Sequence, residues 1–240
     1  MVAPLIPKFS GTFGISSQTI SLIVPAYMIP YGISTLFYGL LSDRLGRLPI
    51  MLVSLIAFVV LTALTATSQS AAAMIVWRLL TGLGASGVVP VALALMGDLF
   101  PYEQRGRPLG WLFGAMAGGM AFGSTFGVLL EPFIGWRMLF VAVAGLTATV
   151  LVVLLPYRSL FRISGTRPRL TLGQVFAVYG ALLGTTRGVC TYTYVLLNAI
   201  FHSGVFTWLG VYFIRRYSLD EVGVGLALLG YGVPGMILGP

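Results

Sequence analysis

The length of the apolar runs most constrains what this chain can become. Seven stretches, residues 18–41, 48–68, 71–97, 108–130, 136–155, 190–214 and 222–240, are almost uninterruptedly apolar over 19 to 27 residues. At about 1.5 Å of rise per residue, a helix of that length crosses the ~30 Å hydrocarbon layer of a bilayer. A membrane β-barrel would show runs of about ten residues in which polar side chains alternate, and that alternation is absent. Backbone facing lipid must satisfy its own hydrogen bonds, so each run is read as a helix. The expected fold class is all-α, a polytopic transmembrane helix bundle. With 58% hydrophobic and 8% charged residues, against roughly 25% charged in soluble domains, the chain could not cover a water-facing surface.

The charge lies in the joints. Of thirteen arginines and one lysine, Arg44, Arg47, Arg105, Arg107, Arg158, Arg162, Arg167, Arg169 and Arg187 fall on one side of the seven-span arrangement. Lys8, Arg137, Arg215 and Arg216 fall on the other, and Arg78 lies within a span. This bias predicts that the 42–47 loop faces the cytoplasm, in a multi-pass protein of the cell's inner membrane. The net charge of +8 is thereby assigned to membrane orientation and anionic lipid. No basic cluster is interleaved with aromatics, so nucleic acid is not an expected partner. The single cysteine, Cys190, excludes an internal disulfide. The N-terminus lacks the basic start of a signal peptide, and Pro4 and Pro7 are expected to break it.

One polar stretch, 156–171, holds four arginines and divides the chain. Residues 1–155 are read as an N-terminal bundle whose first helix is largely missing. Residues 156–189 form a cytoplasmic linker with an interfacial helix over 172–187, and 190–240 start a C-terminal bundle. A weak internal repeat supports two halves: "YGISTLFYG" at 31–39 and "YGVPGMILG" at 231–239 share Tyr and Gly positions 200 residues apart.

Four motifs carry a family resemblance. "GLLSDRLGR" (Gly39 to Arg47), "RLLTGLGAS" (Arg78 to Ser86), "DLFPYEQRGRPLG" (Asp98 to Gly110) and "GWRMLF" (Gly135 to Phe140) follow one another in the order seen in the major facilitator superfamily. The chain resembles helices two to eight of that family's twelve, and so looks like a fragment. The resemblance implies alternating access, in which two bundles rock about a midplane site.

The motifs can be weighed residue by residue. Asp43, near a helix C-terminus, faces the negative end of the dipole and needs a cation, which Arg47 supplies within one turn. The resemblance adds Asp98 as a further partner. It implies that Gly39, Asp43, Arg44, Gly46, Arg47 and Asp98 form a cytoplasmic gating cluster; a plain solvated turn is the alternative. Arg78 suits either snorkelling beside Trp77 or, by resemblance, proton coupling. Gly110, Gly114, Gly118, Gly119, Gly123 and Gly127 suggest small-residue helix packing. "GSTFGV" at 123–128 lacks the Pro and second Gly of the family's antiporter signature. Tyr194, Asn198 and His202 recur at i, i+4 and i+8. They share a face near the midplane, as a solute site or as interhelical hydrogen bonds.

One His, one Cys and no mid-span carboxylate assemble neither a metal site nor a nucleophile–base pair, so no cofactor or enzyme activity is expected. The reading is a secondary transporter of a small organic solute, partnered by the lipid bilayer, with proton-coupled efflux implied by the resemblance. The alternatives are an uptake symporter of the same fold and a non-transporting, truncated scaffold or sensor.

Overall fold

The computed structural model describes residues 5–157 and 172–219, together with Val2 and a few positions between 223 and 230. Every regular element among them is helical: α1 (Ile6–Phe13), α2 (Ser17–Ser21), α3 (Ile23–Leu45), α4 (Arg47–Ala66), α5 (Ala71–Ala85), α6 (Val88–Leu99), α7 (Gly106–Leu154), α8 (Leu172–Leu183) and α9 (Thr186–Tyr217). They belong to two compact units, one of residues 1–165 and 225–240 and one of residues 166–224.

In the first unit, four helical stretches are long and apolar enough to cross a membrane: Ser17–Leu45, Arg47–Ala66, Ala71–Leu99 and the 52-residue Gly106–Tyr157. They correspond to the first five expected spans, the last stretch holding two. Large apolar side chains cover their outside, with Phe133 84% exposed and Ile29 61% exposed. That surface can be stable only against hydrocarbon, and the chain is an integral, multi-pass membrane protein.

The joints differ from expectation. The 42–47 loop is not a loop: α3 runs to Leu45, and Gly46 alone (φ +100°, ψ 148°) separates it from α4. Expected spans 108–130 and 136–155 are continuous helix through Ile134, and Gly135 (φ +73°, ψ 158°) is the one non-helical residue between them. At both points a side chain would be forced into backbone space that only glycine occupies readily. The expected span 71–97 is one stretch, Ala71–Leu99, in which α5 passes into α6 through a tightened turn at Ser86–Gly87 whose two residues keep right-handed helical φ/ψ. At the N-terminus, Pro7 lies in the first turn of α1. There its missing N–H costs nothing, so it starts a helix instead of breaking one.

The main apolar core lies at the end of the unit where α1 packs. Phe9 meets Trp136 edge to face, with ring centroids 5.3 Å apart, and Trp136 meets Phe140 in the same way at 6.2 Å. Ile20, Ile23, Ala66, Met74 and Leu139 complete the cluster. At this same end Lys8 Nζ pairs with Glu131 at 3.2 Å, and the Arg137 guanidinium lies over Trp136 and donates to the Ser68 carbonyl at 2.8 Å. α5 is the central helix, packed on both α3 and α4. Glycines permit the approach: a Cβ at Gly82 would collide with the Tyr27 carbonyl of α3, and one at Gly84 would lie 2.7 Å from the Ala57 Cβ of α4.

In the second unit α8 covers most of the expected interfacial segment. It ends at a Gly184–Thr185 turn, and α9 then begins at Thr186, four residues ahead of the expected span. The expected final span 222–240 and the linker 158–171 lie outside the described residues, apart from a few positions in the former.

Candidate functional site: a charge cluster on three helix ends

At the end of the first unit opposite Trp136, three helix ends meet. Asp43 stands in the last turn of α3, Arg47 is the first residue of α4, and Asp98 is in the last turn of α6. Each has the wrong sign for its position. Carboxylates at C-termini and a cation at an N-terminus oppose the helix dipoles, at about 0.3–1 kcal/mol apiece. Their mutual pairing offsets this. Arg47 Nη2 meets Asp43 Oδ1 at 2.6 Å, and Arg47 Nε meets Asp98 Oδ2 at 3.2 Å. Nη1 donates to Ser42 Oγ at 2.5 Å and leans on the Gly39 carbonyl at 3.5 Å.

The guanidinium is therefore the keystone, joined to α3 and α6 from α4. Its side chain is 13% exposed and that of Asp98 is 20% exposed, so solvent screens the pair less than it would a surface salt bridge. Gly46 makes the arrangement possible, because only its reversed backbone lets Arg47 fold back over the turn that precedes it. Gly39 contributes its carbonyl, and a Cβ there would meet nothing within 4 Å among the described residues. Arg44 is exposed at the same corner.

Sequence reasoning missed two contributors. Arg105, counted only as a topological charge, folds back on α6: Nη2 donates to the Gly97 carbonyl at 2.6 Å and Nε to the Phe100 carbonyl at 2.9 Å. It thereby caps the helix end that presents Asp98. Its spacing from Asp98, seven residues across a Pro-containing turn, was the available signal. Glu131, 8% exposed and paired with Lys8 at the far end, was also overlooked. It is not mid-span, but it is a carboxylate almost hidden from solvent.

The other candidates fall elsewhere. Arg78 does not run along its own helix; it turns toward α3, its Cζ 4.2 Å above the Tyr27 ring, which stacks on Tyr31 at 5.6 Å. Its Nε is enclosed without a hydrogen-bond partner. Gly110, Gly114, Gly118 and Gly127 are buried in α7. Gly119 and Gly123 are not against a neighbouring backbone: a Cβ at either meets nothing within 4 Å among the described residues. Successive residues are about 100° apart, so Gly123 lies half a turn round from Gly114. Gly118, Gly119, Gly123 and Gly127 all line an apolar cleft of about 580 Å³ between the two arms of α7, with Phe122 and Val143. Tyr194 and Asn198 are exposed on α9, Tyr194 by 68%, and only the helical backbone of His202 is described. The stripe thus lies on one helix of the second unit.

Comparison with known proteins agrees with this architecture. The profile of the Major Facilitator Superfamily matches residues 1–240. The chain is 30% identical over 141 residues to a chloramphenicol resistance protein of Pseudomonas aeruginosa, a match covering 58% of this chain and 34% of that one. It is 28% identical over 242 residues to the MFS-type transporter YceJ of Bacillus subtilis, covering 99% of this chain and 60% of that one. Among solved structures, the xylose transporter XylE from E. coli, in an inward-open conformation, shares the fold at a TM-score of 0.57 and 15% identity, over 99% of this chain and 61% of that one. The chain thus spans about three-fifths or less of the length of these relatives.

Proposed function

The chain belongs to the Major Facilitator Superfamily, and on that footing we propose that it moves a small organic solute across a membrane by alternating access, as proton-coupled efflux. The family is one of transporters, not enzymes, working in a lipid bilayer on small molecules. The efflux direction is supported by the likeness to a citrate exporter of Aspergillus niger, 27% identical over 156 residues, 64% of this chain and 30% of that one.

The observation that carries the mechanism is the Asp43–Arg47–Asp98 cluster. Three charges set against their helix dipoles are stable together and unstable apart, which suits a latch that closes in one state and releases in another. A permanent structural joint would gain more from an apolar contact. In this reading the cluster faces the cytoplasm and holds that side shut. Arg78, paired with no carboxylate among the described residues, serves proton coupling. Tyr194, Asn198 and His202 contribute to the solute site.

The test is transport by vesicles carrying the protein, with and without an imposed proton gradient. Asp43→Asn removes the charge that the α3 dipole disfavours and one of the two carboxylates that pair with Arg47. We expect gradient-driven efflux to fall roughly tenfold, the size of a typical coupling free energy, with insertion unchanged. Efflux equal to the parent's would overturn the latch. His202→Ala is expected to change solute affinity or pH dependence, and an unchanged profile would leave the α9 stripe a packing feature.

A further inference from the structure

Arg78 stands inside its span, held by an aromatic ring in place of a counter-ion. It lies seven residues past Ala71, the first residue of α5, and so about 10 Å along the helix. Its Cζ sits 4.2 Å above the Tyr27 ring. That ring is fixed in place. A Cβ at Gly82, one turn beyond Arg78, would collide with the Tyr27 carbonyl, and the Tyr31 ring stacks on Tyr27 at 5.6 Å. A ring face attracts the charge of a guanidinium and leaves its N–H donors unspent. Among the described residues this guanidinium donates no hydrogen bond, and its Nε is enclosed without a partner. The hydroxyl of Thr81, three residues on, turns to its own helix and donates to the Trp77 carbonyl at 2.6 Å.

The carboxylates are committed elsewhere. Residues 1–157 contain four, Asp43, Asp98, Glu103 and Glu131. The first two pair with Arg47, Glu131 pairs with Lys8, and Glu103 lies in the exposed turn after α6. α3 and α4 pack on α5. From α3 the titratable groups facing Arg78 are Tyr27 and, behind it, Tyr31; α4 has none between Leu48 and Ala66, and α5 has none besides Arg78 itself. A guanidinium does not give up its own proton near neutral pH. Proton coupling at Arg78 therefore needs a second group that titrates beside it, and no carboxylate among these residues fills that role. We propose that the Tyr27–Arg78 stack is a binding site for a carboxylate-bearing small molecule, whose own carboxylate is the titrating partner. The guanidinium holds the anion through paired N–H donors. A proton taken up from water by the carboxylate oxygen makes the neutral acid, which leaves. An acidic outer face then favours release on that side, the direction of efflux. Tyr27 is the positioning residue, because it holds the guanidinium without neutralising it. The inference rests on the transport reading of Arg78 and adds to it the class of solute.

The test uses the full chain in nanodiscs, its arginine nitrogens isotopically labelled for magnetic resonance. Signals absent from Arg78→Lys identify Arg78. The probes are benzoate and its uncharged analogue benzamide. Benzoate should shift the Arg78 signals saturably, and benzamide should leave them in place. Arg78→Gln should abolish saturable benzoate binding, and Arg78→Lys, which keeps the charge and loses the fork, should weaken it. Tyr27→Phe keeps the ring and should bind benzoate as the parent does. Tyr27→Leu should bind it about tenfold more weakly. The benzoate carboxyl should titrate at lower pH when bound than when free, because the cation favours the ionised form. Arg78 signals unmoved by benzoate, equal shifts with benzamide, or benzoate binding that survives Arg78→Gln would overturn the site. Equal affinities in Tyr27→Phe and Tyr27→Leu would overturn the role of the ring, and a titration unchanged by binding would overturn the release step. Gradient-driven efflux by a protein whose Arg78 ignores benzoate would overturn this inference alone. Saturable binding at Arg78 in a protein that carries no solute would uphold the site and overturn the transport reading.

Discussion

At the scale of the residue, the site depends on what a single backbone position can adopt. Gly46 at φ +100° holds Arg47 over Asp43, and its would-be Cβ lies 3.3 Å from Pro49 Cδ. Gly46→Ala should therefore cost about 1–3 kcal/mol of stability, measured by unfolding of the purified protein in detergent. It should also loosen the cluster. Gly39→Ala, in helical backbone with open space around it, should be neutral or stabilising by up to about 1 kcal/mol. If the two substitutions cost the same, the backbone argument fails. The motif's residues were legible in the sequence because charge is scarce there and Asp43 opposes its dipole. Which glycine serves conformation and which serves only its carbonyl was not legible, because that depends on φ and on the neighbours of each Cβ.

At the scale of the element, apolar run length was enough to find α3, α4 and the two arms of α7, since the bilayer sets a minimum length that composition must meet. The joints were legible in part. The gap at 131–135 between two expected spans contains Gly135, but that one residue makes the whole turn depends on its φ, which no polar stretch announces. Packing faces were harder still. The glycine series of α7 reads as one stripe only if residues 118 and 119 are allowed to share a face, and close backbone approaches also occur elsewhere, at Gly82 and Gly84 of α5. We expect Gly82→Val to disrupt assembly of α3 on α5, because its side chain must displace the Tyr27 backbone. Gly119→Ala and Gly123→Ala should be tolerated, since they enter the cleft. Monodispersity and thermal midpoint in detergent distinguish these outcomes. Equal damage from all three would mean that the cleft is occupied by backbone.

At the scale of the whole molecule, the alternating helices put α1 and the Gly135 joint at one end and the cluster at the other. A cysteine at Thr12 and one at Gln104, each tested without Cys190, should therefore react with an impermeant reagent from opposite sides of the membrane. Reaction from the same side would refute the threading of the first unit. The unit is also unequal along its length. Phe9, Trp136, Phe140 and Met74 concentrate the buried aromatic contacts at one end, while polar contacts, those of Arg47 and Arg105 among them, join the helix ends at the other. In mechanical terms this is a cantilever, clamped at the aromatic end and free to deflect at the charged one. Thermal energy should then be spent unevenly. Backbone amides of α6 should exchange with deuterium well before those of residues 71–80, because the clamped half opens only when the unit as a whole does. Resistance to heat and readiness to move are thus properties of different ends, and a stabilising substitution near Trp136 could raise the first without stiffening the second.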